Sequence, residues 1–214
     1  MKSNASFVLG FVLALFGVDR SATAGVIIDL EGDAVGIDIT SLEVSFGSLT
    51  VDVNLTFSAL TPILPASANA INSVSGFIEF DLDLNPSTGF NPGLVDLFGG
   101  LIGNAPTGLG VDGVILLGSE FDHPGTVDIT FFSGLTGTGS VSTTSTSMNI
   151  SCSRSLFGAS SELQFAAVVG DQNFATDATG VGVANVSAVP EPSSWVMMSL
   201  AGALLLRYRP NRRV

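Results

Sequence analysis

The sequence predicts an all-β protein: an antiparallel β-sandwich of jelly-roll-like order, flanked by an N-terminal signal helix and a C-terminal hydrophobic helix. Short runs of alternating apolar and polar residues recur between residues 25 and 189, and Gly, Asn, Asp, Pro and Ser separate them. No long amphipathic helix pattern interrupts these runs. About eight to ten such strands in one domain are typical of a sandwich. We expect three parts: a secretory signal peptide (1–24), an acidic all-β extracellular domain (25–187) and a sorting or anchor segment (188–214).

The strands are predicted from the period-2 pattern. In residues 49–57, Leu, Val, Val, Leu and Phe alternate with Thr, Asp, Asn and Thr, as in a half-buried strand. The only helical candidates, residues 67–72 and 94–102, are short. Residues 134–155 are dense in Ser and Thr, and predict a strand pair with a polar face or, alternatively, a glycosylated mucin-like stretch. The predicted strands are residues 26–30, 42–46, 49–58, 74–84, 114–118, 126–132, 140–150, 162–169 and 181–186.

The charge is concentrated in the central part of the chain. Of the 19 acidic residues, 17 lie between residues 25 and 189, where Arg154 is the only basic side chain besides one histidine. Such a body repels phosphate backbones, so nucleic-acid binding is excluded, whereas divalent cations are plausible companions.

The N-terminus has the three parts of a secretory signal. Lys2 provides the positive start, residues 7–17 form an apolar stretch of 11 residues, and Ala22 and Ala24 form a small-x-small cleavage site that would release Gly25. The stretch is too short to span a bilayer. We therefore expect export.

The C-terminus carries a second apolar run, residues 195–206, which is 12 residues long. As a helix it measures about 18 Å, against a hydrocarbon core of about 30 Å. It can enter a membrane, and the positive-inside preference would hold the basic cluster that follows on the cytoplasmic side. That cluster consists of Arg207, Arg209, Arg212 and Arg213.

Ahead of this run stands the motif Pro190, Glu191 and Pro192, in the sequence VPEPSS. The motif, the apolar run and the terminal arginines together resemble the PEP-CTERM sorting signal of Gram-negative bacteria. The resemblance implies an exosortase-type processing enzyme as partner, transient or permanent membrane anchoring, and delivery to the cell surface or to an exopolysaccharide-rich biofilm matrix. The chain departs from the pattern in its short apolar run and in Pro210, which interrupts the basic cluster.

Carboxylates in residues 76–93 suggest a cation site. On a strand, Glu79, Asp81 and Asp83 share one face. Asp81, Asp83 and Asn85 repeat the D-x-D-x-N spacing of calcium loops, without the glycine and glutamate that complete an EF-hand. The alternative is a solvated acidic edge that discourages strand aggregation. The segment also resembles a D-x-D-x-N-P-x-T-G pattern of secreted bacterial β-sandwich domains, which implies Asp112 as a further ligand of a structural calcium ion.

Other residues support little chemistry of their own. The single histidine, His123, excludes a zinc centre with two or three histidines, and no G-x-S-x-G motif is present. Cys152 is expected to be a semi-buried strand residue, and the G-x-G-x-x-G match at residues 108–113 a chance one.

From these features we expect a non-enzymatic structural or adhesive role. A secreted polysaccharide hydrolase, with Glu79 and Glu120 as its acid pair, and a calcium-dependent carbohydrate-binding module are the alternatives.

Overall fold

The computed structural model describes residues 24–89, 109–171 and 175–185. In these residues the chain forms strands and three short 3₁₀ helices, at Ala66–Ala68, Leu117–Phe121 and Arg154–Phe157. The described strands are β1 (Gly25–Ile28), β2 (Ile39–Phe46), β3 (Thr50–Phe57), β4 (Ser75–Asp81), β5 (Gly113–Leu116), β6 (Thr126–Phe131), β7 (Thr136–Thr143), β8 (Ser147–Ser153), β9 (Glu162–Gly170), β10 (Ala175–Ala178) and β11 (Gly182–Asn185).

The described strands are hydrogen-bonded into one antiparallel sheet with the order β1-β2-β3-β8-β7-β6-β5-β4-β9-β10, and β11 also pairs with β9. The sheet is curled so strongly that β1 reaches β11: a Cβ placed on Gly25 would overlap the carbonyl of Val183. The all-β, antiparallel class is therefore confirmed. Two separate facing sheets are not seen among the described residues, because the long-range pairs β3–β8 and β4–β9 join all strands into one continuous sheet.

The alternation of side chains determines which side of the sheet is buried. Across β2, β3, β8 and β7, the registered residues Val44, Val53, Ile150 and Val141 form one apolar row on the inner face. A shift of one residue in any strand would turn such a row to the outside. The inner rows of β2 and β3 and those of β4 and β9 contribute to one core.

Phe157 lies in the middle of this core. It follows β8 in the 3₁₀ helix Arg154–Phe157, is 2% exposed, and packs edge-to-face against Phe46, Phe80 and Phe131. The ring centroids lie 5.7, 5.0 and 5.4 Å away, in the range of favourable aromatic pairs. These contacts join β2, β4 and β6 through one side chain.

The predicted strands are found with shifted ends. The Ser/Thr-rich segment is the hairpin of β7 and β8, as the strand-pair interpretation predicts, but it turns at residues 144–146 where one strand, 140–150, was predicted. The helical candidate at residues 67–72 contributes only to the 3₁₀ helix Ala66–Ala68, and the candidate at 94–102 lies outside the described residues. The sequence pattern missed β10.

The two predicted terminal helices fall in the segments 1–24 and 188–214, of which the structure describes only Ala24. Within residues 24–89, 109–171 and 175–185, the structure contains no helix with both the length and the apolar character that crossing a bilayer requires.

Candidate functional site

The structure brings together three of the four residues of the predicted calcium site. β4 ends at Asp81, the turn that follows holds Asp83, and Asp112 directly precedes β5. One carboxylate oxygen from each lies within 4.8 Å of the others. Two oxygens on one calcium ion are at most about 5 Å apart, since each bond is about 2.3–2.6 Å long. The spacing therefore suits a calcium ion, and calcium binding here remains a prediction.

Backbone N–H groups already donate hydrogen bonds to the carboxylate oxygens of this cluster. Asp81 accepts hydrogen bonds from the N–H groups of Asp83 (3.2 Å) and Gly110 (3.4 Å), and Asp112 accepts one from Leu82 at 2.9 Å. Burial raises the pKa of Asp112 above its ordinary value of 3.8; the charges of Asp83 and Asp81 also raise it, while the Leu82 hydrogen bond opposes them. Backbone donors therefore satisfy part of the hydrogen-bonding capacity of these carboxylates without a cation.

The fourth predicted residue, Asn85, has a local role in the turn. Its side-chain oxygen accepts the N–H of Ser87 at 3.1 Å, and its own N–H donates to Asp83 at 2.9 Å. These two bonds form successive Asx-type turns, which hold the chain after β4 in a compact loop.

The solvated acidic edge, the alternative to calcium, is wrong for the strand itself. β4 lies between β5 and β9, and is therefore an interior strand. Asp81 is 0% exposed and Glu79 is 4% exposed. Only Asp83, beyond the end of the strand, is exposed. The shared face of Glu79 and Asp81 is thus a buried face, in contact with the neighbouring strands.

A second group of three carboxylates was not predicted from the sequence. Asp33 and Asp38 lie in the connection between β1 and β2, Asp177 lies in β10, and one oxygen of each is within 4.8 Å of the others. Asp38 is 4% exposed, Asp177 is half-buried and Asp33 is exposed. A cleft of about 680 Å³ lies beside the group and is lined in part by Asp33, Ile37 and Thr176.

A third feature is the outer face of β2, β3, β8 and β7, which we call the polar face. Two registered rows of polar side chains cross these four strands and border a cleft of about 470 Å³. The residues lining that cleft include no aromatic side chain. The first row is Glu43, Asn54, Asn149 and Ser142, and the second is Ser45, Asp52, Ser151 and Ser140.

Contacts within the polar face order some of its polar groups. Asp52 accepts hydrogen bonds from the hydroxyls of Ser151 (2.5 Å) and Thr50 (3.1 Å). By contrast, Oδ1 of Asn54 is buried without a hydrogen-bond donor among the described residues. The face is therefore an ordered polar surface whose exposed hydroxyl, amide and carboxylate groups can exchange hydrogen bonds with a ligand, whereas Oδ1 of Asn54 lies beneath it.

The proposed hydrolase pair is placed in the interior. Glu79 and Glu120 are each 4% exposed, and Oε2 of Glu120 accepts the N–H of Ala66 at 3.1 Å. Neither glutamate lines either of the two clefts described above. His123 lies in the exposed turn between the 3₁₀ helix Leu117–Phe121 and β6.

Cys152 is buried in β8, where it faces the core. Burial, and to a smaller extent the charge of Asp52, raises the pKa of its thiol from 9.0 to about 12. The thiol is therefore protonated at neutral pH and a poor nucleophile, in agreement with the expected structural role.

Most residues of the predicted signal cleavage site and sorting signal lie outside the described residues. They are Ala22 of the cleavage site, Pro190, Glu191 and Pro192 of the sorting motif, and the four terminal arginines. Ala24 is the first residue that the structure describes. Comparison with known proteins adds no relative: the chain matches no protein-family model, no curated protein and no solved structure.

Proposed function

We propose that this chain is an exported protein of the cell surface or extracellular matrix of a Gram-negative bacterium, with a structural or adhesive role at exopolysaccharide. In this proposal the N-terminal segment directs export, and an exosortase-type enzyme recognises the PEP-CTERM-like segment after transient membrane insertion. The sequence supports it with the Ala22 and Ala24 cleavage site, the Pro190–Pro192 motif and the arginine cluster. The acidic body supports it by disfavouring nucleic acids as partners.

The observation that carries the binding part of the proposal is the polar face. Hydroxyl, amide and carboxylate groups repeat along two rows, at the spacing of neighbouring strands, about 4.8 Å. A polysaccharide chain presents hydroxyl groups along its length and can exchange hydrogen bonds with such rows. The amide side chains of Asn54 and Asn149 are neighbours across β3 and β8 in the first of these rows. Without aromatic side chains for sugar stacking, each domain should bind weakly and depend on many hydrogen bonds.

Weak binding by one domain suits a matrix protein. Many copies on one surface or one polymer bind together with much higher avidity than a single domain. In this proposal the acidic domain resembles a sandwich, because the two halves of the curled sheet share one core. The outer face of β2, β3, β8 and β7 then binds the ligand.

Binding to exopolysaccharide tests this assignment. The full-length chain is incubated with exopolysaccharide purified from a biofilm-forming Gram-negative bacterium, and retention is compared for the variant Asn54→Ala with Asn149→Ala. These residues are partners across β3 and β8. The control is Thr130→Ala with Thr136→Ala, a polar pair across β6 and β7 outside the rows. Losing two hydrogen bonds of about 0.5–1.5 kcal/mol each predicts binding weaker by about tenfold for the first variant only.

Equal retention of the wild type and both variants, or no retention of the wild type, would contradict a ligand role of the polar face. A calcium-dependent binding module is the second candidate, and the convergence of Asp81, Asp83 and Asp112 within 4.8 Å favours it. In that case retention of the wild type should fall when calcium is chelated.

A further inference from the structure

The second carboxylate group, Asp33, Asp38 and Asp177, differs from the predicted calcium site in one respect that points to a ligand. Asp38 is only 4% exposed, yet its Oδ1 has no hydrogen-bond partner in the described part of the chain. Its other oxygen, Oδ2, accepts the N–H of Gly32 at 2.8 Å. A buried carboxylate oxygen without a hydrogen-bond partner is unfavourable unless its charge is neutralised.

The surroundings increase this cost, because they add negative charge. Oδ2 of Asp29 is also buried without a partner among the described residues, and Glu31 lies close by, accepting the hydroxyl of Ser58 at 2.9 Å. Burial raises the pKa of Asp177 above 3.8, hydrogen bonds from Ile39 and Ala178 oppose this, and the charges of Asp29 and Asp33 raise it further. Several negatively charged groups thus lie close together in one small volume, where their charges repel one another.

The described chain provides no basic side chain to offset these charges. Arg154 is its one arginine or lysine. The Arg154 side chain donates to the carbonyl of Gly47 at 2.8 Å and lies 5.9 Å from the Phe46 ring centroid, beyond the far end of β2 from Asp38. A strand of eight residues separates the two ends by roughly 25 Å. Among the described residues, no cationic side chain can therefore neutralise this group, and a bound cation would do so.

We propose that Asp33, Asp38 and Asp177 form a binding site for a divalent cation of the calcium type, separate from the site that the sequence predicts. Their oxygens are close enough to share one ion, and all are hard oxygen ligands, which calcium prefers. Asp33 is exposed and lines the cleft beside the group, which gives the ion a path from solvent.

Bound calcium would link the β1–β2 connection to β10. The two segments are 139 residues apart at Asp38 and Asp177, and they already meet through the hydrogen bond from Ile39 N–H to Asp177. An ion held by both would stabilise the place where the ends of the curled sheet approach each other. Calcium binding at this site does not depend on the proposed function, because an intracellular or an enzymatic chain could bind the ion in the same way.

Calcium binding to the full-length chain, measured by equilibrium dialysis with radioactive calcium, tests the proposal. Two matched variants distinguish the two carboxylate groups, since each removes the charge of one exposed carboxylate from a group of three. Asp33→Asn alters the group proposed here, and Asp83→Asn alters the group that the sequence predicts. Asp38→Asn removes the unpaired oxygen's charge, and Asp122→Asn changes an exposed turn residue outside both groups. The expected result is that Asp33→Asn and Asp38→Asn each weaken one calcium site by at least about tenfold, and that Asp122→Asn has no effect.

Thermal unfolding gives a second readout. In chelator, Asp38→Asn should melt at or above the wild-type temperature, because it removes an uncompensated charge, and it should lose the stabilisation that calcium gives to the wild type. If Asp38→Asn does not fold, Asp33→Asn decides. Unchanged calcium affinity in Asp33→Asn, no calcium binding by the wild type, or a loss confined to Asp83→Asn would overturn the proposal.

Discussion

Asp177 in β10 accepts a hydrogen bond from the backbone N–H of Ile39, the first residue of β2, at 2.6 Å. Beside it, the hydroxyl of Thr176 donates to the carbonyl of Ile37 at 2.6 Å. β10 and β2 are not neighbours in the sheet order. These side-chain bonds therefore fasten the end of the sheet near β10 to its beginning, where backbone pairing between the two strands is lacking.

Asp177→Ala should open this junction locally. Removing the acceptor leaves the N–H of Ile39 to solvent, so its amide hydrogen should exchange at least about tenfold faster, as expected for a hydrogen bond of about 1.5 kcal/mol to a charged group. Hydrogen exchange measured by mass spectrometry or NMR reports the change. The amide of Val53, in the central strand β3, is the internal control, and equal acceleration at Ile39 and Val53 would indicate a global effect and contradict a local junction.

The parts of the fold with strong alternation could be predicted from the sequence. β3 shows an unbroken period of two, and its burial pattern follows it residue by residue. β10 was missed because Ala175–Ala178 is short and follows no alternation of apolar and polar residues. The single curled sheet was missed because it depends on the pairs β3–β8 and β4–β9, which join segments about 90 residues apart that local patterns do not relate.

Of the two carboxylate groups, one could likewise be predicted from the sequence and the other could not. The spacing of Asp81 and Asp83 is local, and a resemblance supplied Asp112, so the first group could be predicted. Asp38 stands between Ile37 and Ile39, and nothing in that local sequence indicates that its carboxylate is buried beside a residue of β10. The available signal was the density of acids in residues 29–38, which by itself is typical of a solvated loop.

Phe157→Ala should destabilise the fold strongly. It removes three edge-to-face contacts and leaves a cavity among Phe46, Phe80 and Phe131, at a cost of about 3–5 kcal/mol in the free energy of unfolding. Phe121→Ala is the matched control, because Phe121 is 50% exposed and should cost less than about 1 kcal/mol. Urea unfolding measures both, and similar losses in the two variants would refute the central position of Phe157.

Cys152 should be unreactive in the folded protein. Its thiol pKa rises from 9.0 to about 12 because of burial, so at pH 8 iodoacetamide should label it only through unfolding. Mass spectrometry should show slow labelling of the native chain and rapid labelling of the same chain in denaturant. Rapid labelling without denaturant would contradict the burial.

The raised pKa of Cys152 also predicts how the free energy of unfolding depends on pH. Between pH 9.0 and about 12 the folded chain holds a proton on Cys152 that the unfolded chain loses. The free energy of unfolding contributed by this group is therefore fully present below pH 9 and falls as the pH rises towards 12. Urea unfolding at a series of alkaline pH values measures the effect, and Cys152→Ser, which does not titrate there, should lack this component. An identical pH dependence in the two proteins would contradict the assignment to Cys152.

The central claim is that an N-terminal signal peptide directs export and a C-terminal segment directs sorting. Mass spectrometry of the mature protein tests it most directly. The chain is expressed in a Gram-negative host with an exosortase-type enzyme, next to a variant with Pro190, Glu191 and Pro192 replaced by alanine. The account predicts that the wild type is found at the cell surface or in the matrix, begins at Gly25 and lacks the apolar run and its arginines. The alanine variant should begin at Gly25 but keep its C-terminus in the membrane fraction. An intact wild-type chain in the cytoplasm, or identical C-terminal processing of both proteins, would contradict the account.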